Sequence, residues 1–302
     1  MPFKKILVCL DGSNNSQIAA DYAFWLAQNL DAELGAEHVV DPRLIDLFLE
    51  PEFGEELGFA PSVESYGKVS TSLRKIGKTI LDLFKNEASL REIPQTTRLS
   101  EGHIVEEILK QSEHFDLLVL GHRGRQQPKT ASRIMIGSVA ERVARDADIP
   151  VLITVQPSSK VSDILVAFDG SEQSIGALLL AESLAKYTDC NLKALIVVPS
   201  REDIPKGKLL AEQGDGYLRE FWKDGVFTIE VGEPTQTILK KARDANSLLV
   251  LGAYGYGDPD RNVLGSTTSK VIRNCQCSVL IYKSARQPKR ALKPEKHERI
   301  SV

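Results

Sequence analysis

The sequence contains few cysteines, and their spacing is not that of a disulfide framework. Its 302 residues include four, Cys9, Cys190, Cys275 and Cys277. Proteins that rely on disulfides carry cysteines much more densely. Because Cys275 and Cys277 precede an apolar run and have no histidine or second cysteine pair beside them, we interpret them as structural thiols, with a metal or redox pair as the alternative. A reducing, cytoplasmic setting is predicted.

Long apolar runs and strong charge are also missing. The apolar run behind Lys4 and Lys5 ends at Asp11, which is too short for the apolar core of a signal peptide. No later stretch approaches the ~18 apolar residues of a membrane span. With a net charge of -3 and a pI near 6.0, the chain has no general attraction for polyanions. We therefore predict neither nucleic acid nor a membrane as a partner.

An internal repeat organises what the sequence does contain. Residues 6–13, Ile-Leu-Val-Cys-Leu-Asp-Gly-Ser, are echoed 158 positions later by Ile-Leu-Val-Ala-Phe-Asp-Gly-Ser. Leu117–Gly121 match Leu248–Gly252 at an offset of 131. We predict two domains at 1–156 and 163–284, a linker at 157–162, and a basic, disordered tail at 285–302 that could instead dock an acidic partner.

The first copy carries 27 extra residues, mostly within 41–100. Apolar residues from Val69 to Phe84 recur at helical spacing, so much of this segment is predicted to be a long amphipathic helix. The acidic stretch 41–61 is predicted to be a loop packed on its own helix, with a partner-binding lid as the alternative.

Short β-type runs alternate with helical patterns in both copies, which predicts an α/β fold with two tandem, doubly wound, parallel five-stranded sheets. Each copy ends in an apolar strand, Val151–Val155 or Ser278–Tyr282, which by topology lies at a sheet edge. Because uncovered apolar edges tend to pair, the copies are predicted to join there as an internal pseudo-dimer. A further homodimer would use another surface, such as 41–61.

A glycine motif in the second copy carries the functional signal. The strand Leu248–Leu251 runs into Gly252-Ala-Tyr-Gly255, and after nine residues Gly265-Ser266-Thr267 open a helix. Glycines admit phosphate oxygens to backbone N–H groups, and a helix start adds free donors and a positive dipole end. If the strand that ends at Asp169 lies beside this one, Asp169 could bind ribose and Val197 adenine in the crevice. The alternative for Asp169 is a turn residue.

These motifs resemble the universal stress protein family: Asp-Gly-Ser after the first strand, His-Val-Val-Asp at 38–41, and Gly-x-x-Gly, nine residues and Gly-Ser before the last helix. The resemblance covers all but the tail and part of 41–61. It implies an adenine nucleotide α-hydrolase-like fold and a site for ATP, or for ADP or AMP. The residues it assigns to that site are Asp169 on ribose, Val197 on adenine, and Gly252, Gly255, Gly265, Ser266 and Thr267 around the phosphates.

The first copy keeps the motif with a longer loop. Twelve residues, Arg125–Ile136, stand where the family has nine, and Arg125, Lys129 and Arg133 retain an attraction for phosphate. We therefore predict the main site in the second copy and an altered one in the first. The residues of this altered site are Asp11, Val39, Gly121, Gly124, Gly137 and Ser138.

Charged and titratable residues near the motifs leave alternatives open. Asp258 and Asp260 are interpreted as solvated loop acids. The alternative is that they bind a Mg²⁺ ion together with the phosphate oxygens of a triphosphate. His122 is an exposed loop histidine or a phosphate contact. No Walker motif occurs and no histidine has an evident nucleophile partner, so at most slow ATP hydrolysis is predicted. The sequence predicts a nucleotide-binding stress-response regulator with an unknown protein partner; the alternative is an interaction or scaffold protein with vestigial nucleotide sites.

Overall fold

A computed structural model describes residues 1–43, 63–123, 136–218, 225–243, 247–255 and 264–284. Several predicted features lie outside these ranges: most of the 41–61 stretch, Gly124, the acids Asp258 and Asp260, and the basic tail. No helix within the described ranges has the length and apolar character needed to cross a membrane.

The first half alternates strands and helices as its sequence pattern predicts. Ser13 caps the first helix by accepting a hydrogen bond from the N–H of Ser16 at 3.1 Å. The long amphipathic helix predicted within 41–100 is confirmed, because one helix runs for 28 residues from Val63. The elements are β1 (Lys5–Cys9), α1 (Asn14–Leu30), β2 (Glu33–Val40), α2 (Val63–Leu90), β3 (Gln95–Glu101), α3 (Ile104–Ser112), β4 (Leu117–Gly121), α4 (Ser138–Asp146) and β5 (Val151–Thr154).

The second half repeats this order with a shorter second helix, which has 14 residues where α2 has 28. Ser171 caps its first helix through the N–H of Ser174, as Ser13 does in the first half. The elements are β6 (Asp163–Ala167), α5 (Glu172–Thr188), β7 (Asn191–Val198), α6 (Ile204–Tyr217), β8 (Phe227–Val231), α7 (Pro234–Ala242), β9 (Ser247–Gly252), α8 (Ser266–Asn274) and β10 (Val279–Tyr282).

All ten strands form one sheet in the order β3-β2-β1-β4-β5-β10-β9-β6-β7-β8. Every neighbouring pair is parallel except β5 and β10, where Leu152 lies opposite Leu280 in an antiparallel register. The predicted parallel five-stranded sheet is therefore confirmed in each half, and the two last strands join the halves as predicted. The inner strands β4 and β9 are nearly continuous runs of Leu and Val because helices cover both faces of the sheet.

The joint between the halves is braced outside the strands. Lys283, which follows β10, is buried and donates from Nζ to the carbonyls of Arg145 and Ala147, each at 2.7 Å, at the end of α4. Near β5, Val155 donates its N–H to Oγ of Ser278 at 3.1 Å. Each half therefore supplies hydrogen-bond partners to the other.

The pair of neighbouring cysteines in the second half is buried in the core. The Sγ atoms of Cys275 and Cys277 lie 3.1 Å apart, and both side chains contact the cluster beneath α4 and α8. The hydrogen bond between the two sulfurs and burial raise the pKa of Cys277 far above its usual range, whereas the same hydrogen bond lowers the pKa of Cys275. Both side chains are almost completely buried, as expected for structural thiols.

Candidate functional site

The crevice lies where the chain leaves two neighbouring strands in opposite directions. β6 pairs with β9 in parallel, and from there the chain passes from β6 to β7 on one side and from β9 to β10 on the other. The strand before Asp169 therefore lies beside the strand that leads into the glycine motif, as the predicted site requires. In open α/β sheets, ligands bind at the carboxyl ends of such strands.

A cavity of about 490 Å³ opens at this point. Its wall is formed by the ends of β6, β7 and β9 and by the first turns of α7 and α8. The structure brings together every residue predicted for the main site, since all of them line this cavity: Asp169, Val197, Gly252, Gly255, Gly265, Ser266 and Thr267. Their role in nucleotide binding stays a prediction.

Asp169 uses its two carboxylate oxygens differently. Oδ1 accepts a hydrogen bond from the N–H of Ser171 at 2.9 Å, which closes the turn into α5. Oδ2 faces the glycine loop, because a Cβ built on Gly255 would lie 3.1 Å from it. The turn interpretation and the site interpretation are thus compatible, since each concerns a different oxygen.

Glycine is needed at the positions of the motif for different structural reasons. A Cβ on Gly252 would lie 2.9 Å from the backbone of Gln173, so this glycine is required by the close approach of α5. A Cβ on Gly265 would lie 3.4 Å from the carbonyl oxygen of Ala253, an ordinary contact distance. Gly255 and Gly265 therefore keep the loop open towards the cavity, whereas Gly252 mainly permits packing.

The start of α8 supplies hydrogen-bond donors to the cavity. Gly265 occupies the N-cap position, where it has no side chain to satisfy the N–H groups of the first turn. Its own N–H donates to the carbonyl of Ala253 at 2.9 Å, which holds the two ends of the glycine loop together. Ser266 and Thr267 follow in the first turn. This end of the helix can therefore bind an anion through its backbone and its hydroxyl groups.

The opposite end of the cavity is apolar. It is lined by Ala167, Leu195 and Val197 from the strands and by Pro234 and Ile238 from α7. Asp169 is the only charged residue among the described residues that line the cavity. The cavity thus combines an apolar end, a single carboxylate and an uncapped helix N-terminus, a set that fits a flat base, a sugar and a phosphate.

Sequence reasoning missed the contribution of α7. Pro234 and Ile238 line the cavity, and so does Phe168, whose ring packs edge to face on Phe227 at 5.5 Å. The repeat contained a signal for α7, because a helix that follows a third parallel strand must start at the same edge of the sheet as the site.

The first half reproduces the framework of the site. Oδ1 of Asp11 accepts from the N–H of Ser13 at 2.9 Å, as Asp169 does from Ser171. Gly137 donates to the carbonyl of His122 at 2.8 Å, the counterpart of the bond from Gly265 to Ala253. Gly121 packs on Asn15, since a Cβ there would lie 2.7 Å from the Asn15 backbone. Val39 is the penultimate residue of β2 and Ser138 begins α4, whereas Gly124 lies outside the described residues.

His122 is the clearest difference between the two halves. The interpretation as an exposed loop histidine is wrong, because the residue is only 4% exposed. Burial, together with the charge of Arg123, lowers the pKa of its imidazole to about 4, while a hydrogen bond to the backbone of Ile272 acts against that shift. Ile272 belongs to α8, so His122 contacts the helix whose other end opens into the second cavity.

A second difference lies at the end of β2. Asp41 is buried, and the guanidinium of Arg43 holds the pKa of its carboxyl below the usual range. The repeat offset places Pro199 at the corresponding position of the second half. The first half therefore has an ion pair where the second half has an uncharged residue. Within the described ranges, no group of at least three His, Cys, Asp or Glu residues could hold a metal ion.

The fold and the crevice define a class: a tandem α/β protein with doubly wound sheets and a crevice at the carboxyl edge of the second repeat. The chain belongs to the universal stress protein family, whose sequence profile matches residues 2–155 and again 160–283. The match in both halves is consistent with the internal repeat.

Individual relatives support this assignment. A universal stress protein of Synechocystis is 26% identical over 294 residues, covering 93% of this chain and all of the relative. Another, from Methanocaldococcus jannaschii, is 33% identical over 160 residues, which is 52% of this chain and 85% of the relative. The crystal structure of a universal stress protein from Archaeoglobus fulgidus has the same fold, with a TM-score of 0.68 at 24% identity over 92% of this chain and 98% of that one.

Proposed function

We propose that this chain is a stress-response regulator that binds an adenine nucleotide in the second-half cavity. One observation carries the proposal: Asp169 and the uncapped start of α8 lie on the wall of the same cavity, whose other end is apolar. This arrangement offers separate environments to ribose, phosphate and base. The ligand class is ATP, ADP or AMP, with Mg²⁺ as a companion of the more highly phosphorylated forms.

The residues of the cavity favour binding over chemistry. Asp169 supplies a carboxylate acceptor, and the first turn of α8 supplies neutral donors; no histidine, lysine or arginine is among the described lining residues. General acid and base catalysis needs a group that titrates near neutral pH within reach of the substrate. We therefore propose that the unhydrolysed nucleotide acts as a signal, and that the altered first half binds nucleotide more weakly or binds a protein partner.

The test begins with the purified protein. Mass spectrometry after denaturation should detect a co-purifying adenine nucleotide, and calorimetry with ATP, ADP and AMP should give one main site per chain. Gly265→Val should abolish this binding, because a branched side chain would project where the phosphate approaches. The φ of -53° at Gly265 suits any residue, so the fold should persist.

A matched control uses the same substitution elsewhere. Gly216, on α6, has no atom within 4 Å of a built Cβ, so Gly216→Val should leave the affinity unchanged. Unaltered binding by Gly265→Val would refute the site. Absence of any nucleotide, both co-purified and in calorimetry, would refute the function and favour a scaffold protein with vestigial sites.

A further inference from the structure

An apolar stripe runs along the exposed side of α2. It consists of Val69, Ile76, Leu83 and Leu90, and the last three side chains are 43%, 65% and 81% exposed. A separate set of residues on the same helix, including Leu81 and Phe84, faces the core. The stripe is therefore apolar surface that the packing of α2 on the sheet does not explain.

The stripe is specific to the first half. Gly77 of α2 and Gly207 of α6 occupy equivalent places, because each lies over the third strand of its half, against Leu99 and Ile229 respectively. Aligning the helices on these glycines sets Lys206 and Gln213 of α6 where α2 has Ile76 and Leu83. Both α6 residues are exposed, as polar residues on a solvated face should be. The fold itself thus does not require apolar residues at these positions.

The spacing of the stripe is that of a helix-pairing seam. Its members recur every seven residues along a helix of 28 residues. A seven-residue repeat keeps the same side of a helix against a partner helix. A helix of this length extends for about 42 Å. A seam of that kind can bury its apolar residues against another helix along most of this length.

The surface beside the stripe can be buried at little cost. Three residues after each of the first three stripe members come Ser72, Thr79 and Asn86, none of which is charged. Oγ of Ser72 donates to the carbonyl of Lys68 at 2.8 Å, and Oγ1 of Thr79 donates to that of Lys75 at 3.0 Å. Because these hydroxyls have partners within the helix, covering them would leave no unpaired donor.

We propose that this stripe joins two copies of the chain through an antiparallel pair of α2 helices. A twofold axis between Thr79 and Ile80 sets Ile76 of one copy against Leu83 of the other, and Val69 against Leu90. It also brings Lys75 near Asp82 of the second copy, whereas a parallel pair would set like charges side by side. The charges beside the stripe are thus complementary when the two helices are antiparallel. This interface is independent of the joint between β5 and β10, which is already closed within one chain.

The oligomeric state of the full chain tests the interface. By sedimentation velocity, the wild type should be a dimer, and Ile76→Lys/Leu83→Gln, which gives α2 the residues of α6, should be a monomer. The dimer dissociation constant should rise about 100-fold or more, because a twofold interface loses every contact twice. Leu209→Gln, at an exposed leucine of α6, is the control and should stay dimeric. Circular dichroism and melting temperatures check that each variant folds.

Cross-linking tests the direction of the pair. A mixture of Ile76→Cys and Leu83→Cys proteins should form a disulfide between copies. Leu83→Cys alone should not, because antiparallel pairing separates the two substituted positions by about 10 Å along the axis, beyond disulfide reach. A monomeric wild type, or a dimer unaffected by Ile76→Lys/Leu83→Gln, would overturn the proposal. Efficient cross-linking of Leu83→Cys alone would overturn the antiparallel arrangement.

Discussion

At the residue scale, the aspartate of each Asp-Gly-Ser motif has a structural task in both halves. Oδ1 of Asp11 and of Asp169 accepts from the N–H two residues later, which shapes the turn into the following helix. In the second half, Oδ2 of Asp169 faces the glycine loop instead. Asparagine keeps an acceptor oxygen for the turn but lacks the negative charge. A change to asparagine therefore tests ligand binding while it retains the turn.

We expect Asp169→Asn to weaken nucleotide binding by ~1–3 kcal/mol, the scale of hydrogen bonds to a charged group. Calorimetry with ATP measures the change, and an unaltered melting temperature would show that the turn is retained. Asp11→Asn, the same change in the first half, should leave the main site unaffected. If the affinity of Asp169→Asn equalled that of the wild type, ribose would be held elsewhere.

His122 shows how one residue can be placed by the opposite half of the chain. Its imidazole is buried and neutral at pH 7, because the low-polarity surroundings disfavour the charged form. The counterpart in the second half is Ala253, which has no titratable group. The pH dependence of stability should therefore report on His122.

We expect the free energy of unfolding to decrease as the pH falls from 6.5, the ordinary pKa of histidine, to about 4, the pKa of His122 in the folded protein. Between these values the unfolded chain binds more protons than the folded chain, so acid favours unfolding. His122→Ala removes this contribution, so the wild type should lose ~1–3 kcal/mol more than the variant over this range. Urea unfolding at a series of pH values measures both. Parallel pH profiles would contradict a buried neutral imidazole.

At the scale of elements, the C-terminal ends of α4 and α8 are bound by side chains from the opposite half. Lys283 donates to two carbonyls at the end of α4, and His122 contacts the backbone of Ile272 near the end of α8. Carbonyls at a helix C-terminus lack partners within the helix and carry the negative end of its dipole, so the ammonium group of Lys283 stabilises the end of α4. These contacts hold the helices that follow the two glycine loops in fixed positions relative to each other.

Lys283→Met should lower the free energy of unfolding by ~1–3 kcal/mol, because it retains the apolar part of the side chain but leaves the carbonyls of Arg145 and Ala147 without this donor. Chemical denaturation gives the value. Lys186→Met, at an exposed lysine of α5, is the control and should change stability by no more than about 0.5 kcal/mol. Equal stability of the two variants would show that the carbonyls find other partners.

At the scale of the whole molecule, the antiparallel pair of β5 and β10 turns two sheets into one. Both strands have a neighbour on each side, so neither presents a free edge. The N–H of Val155 points towards β10, where it meets Ser278. Since N–H groups of alternate residues point to the same side of a strand, the N–H of Ile153 is directed into the joint as well.

Ile153→Pro should therefore separate the halves or destabilise both, at a cost of about 3 kcal/mol or more, because proline removes this N–H from a central strand. Unfolding curves measure the loss, and small-angle scattering measures the shape of the folded particle. Ile153→Val keeps the N–H and should cost only about 0.5–1.5 kcal/mol. Two separated lobes in the wild type would contradict internal pairing.

The sequence by itself determined the features that are written in local patterns. The repeat of Asp-Gly-Ser and of the glycine motif predicted two copies of one fold, and the alternation of strands and helices predicted parallel sheets. The helical spacing of apolar residues from Val69 to Phe84 predicted the long helix α2. These predictions succeeded because turn chemistry, glycine spacing and apolar periodicity act over a few residues.

Only the tertiary structure decided which distant residues meet. It set β6 beside β9, which brings Asp169 to Gly255, and it added Pro234 and Ile238 of α7 to the wall of the cavity. It also buried His122 against a helix of the other half, where the sequence pattern indicated an exposed loop. The physical reason is that strand order and burial depend on how whole elements pack against one another, and no window of a few residues contains that information.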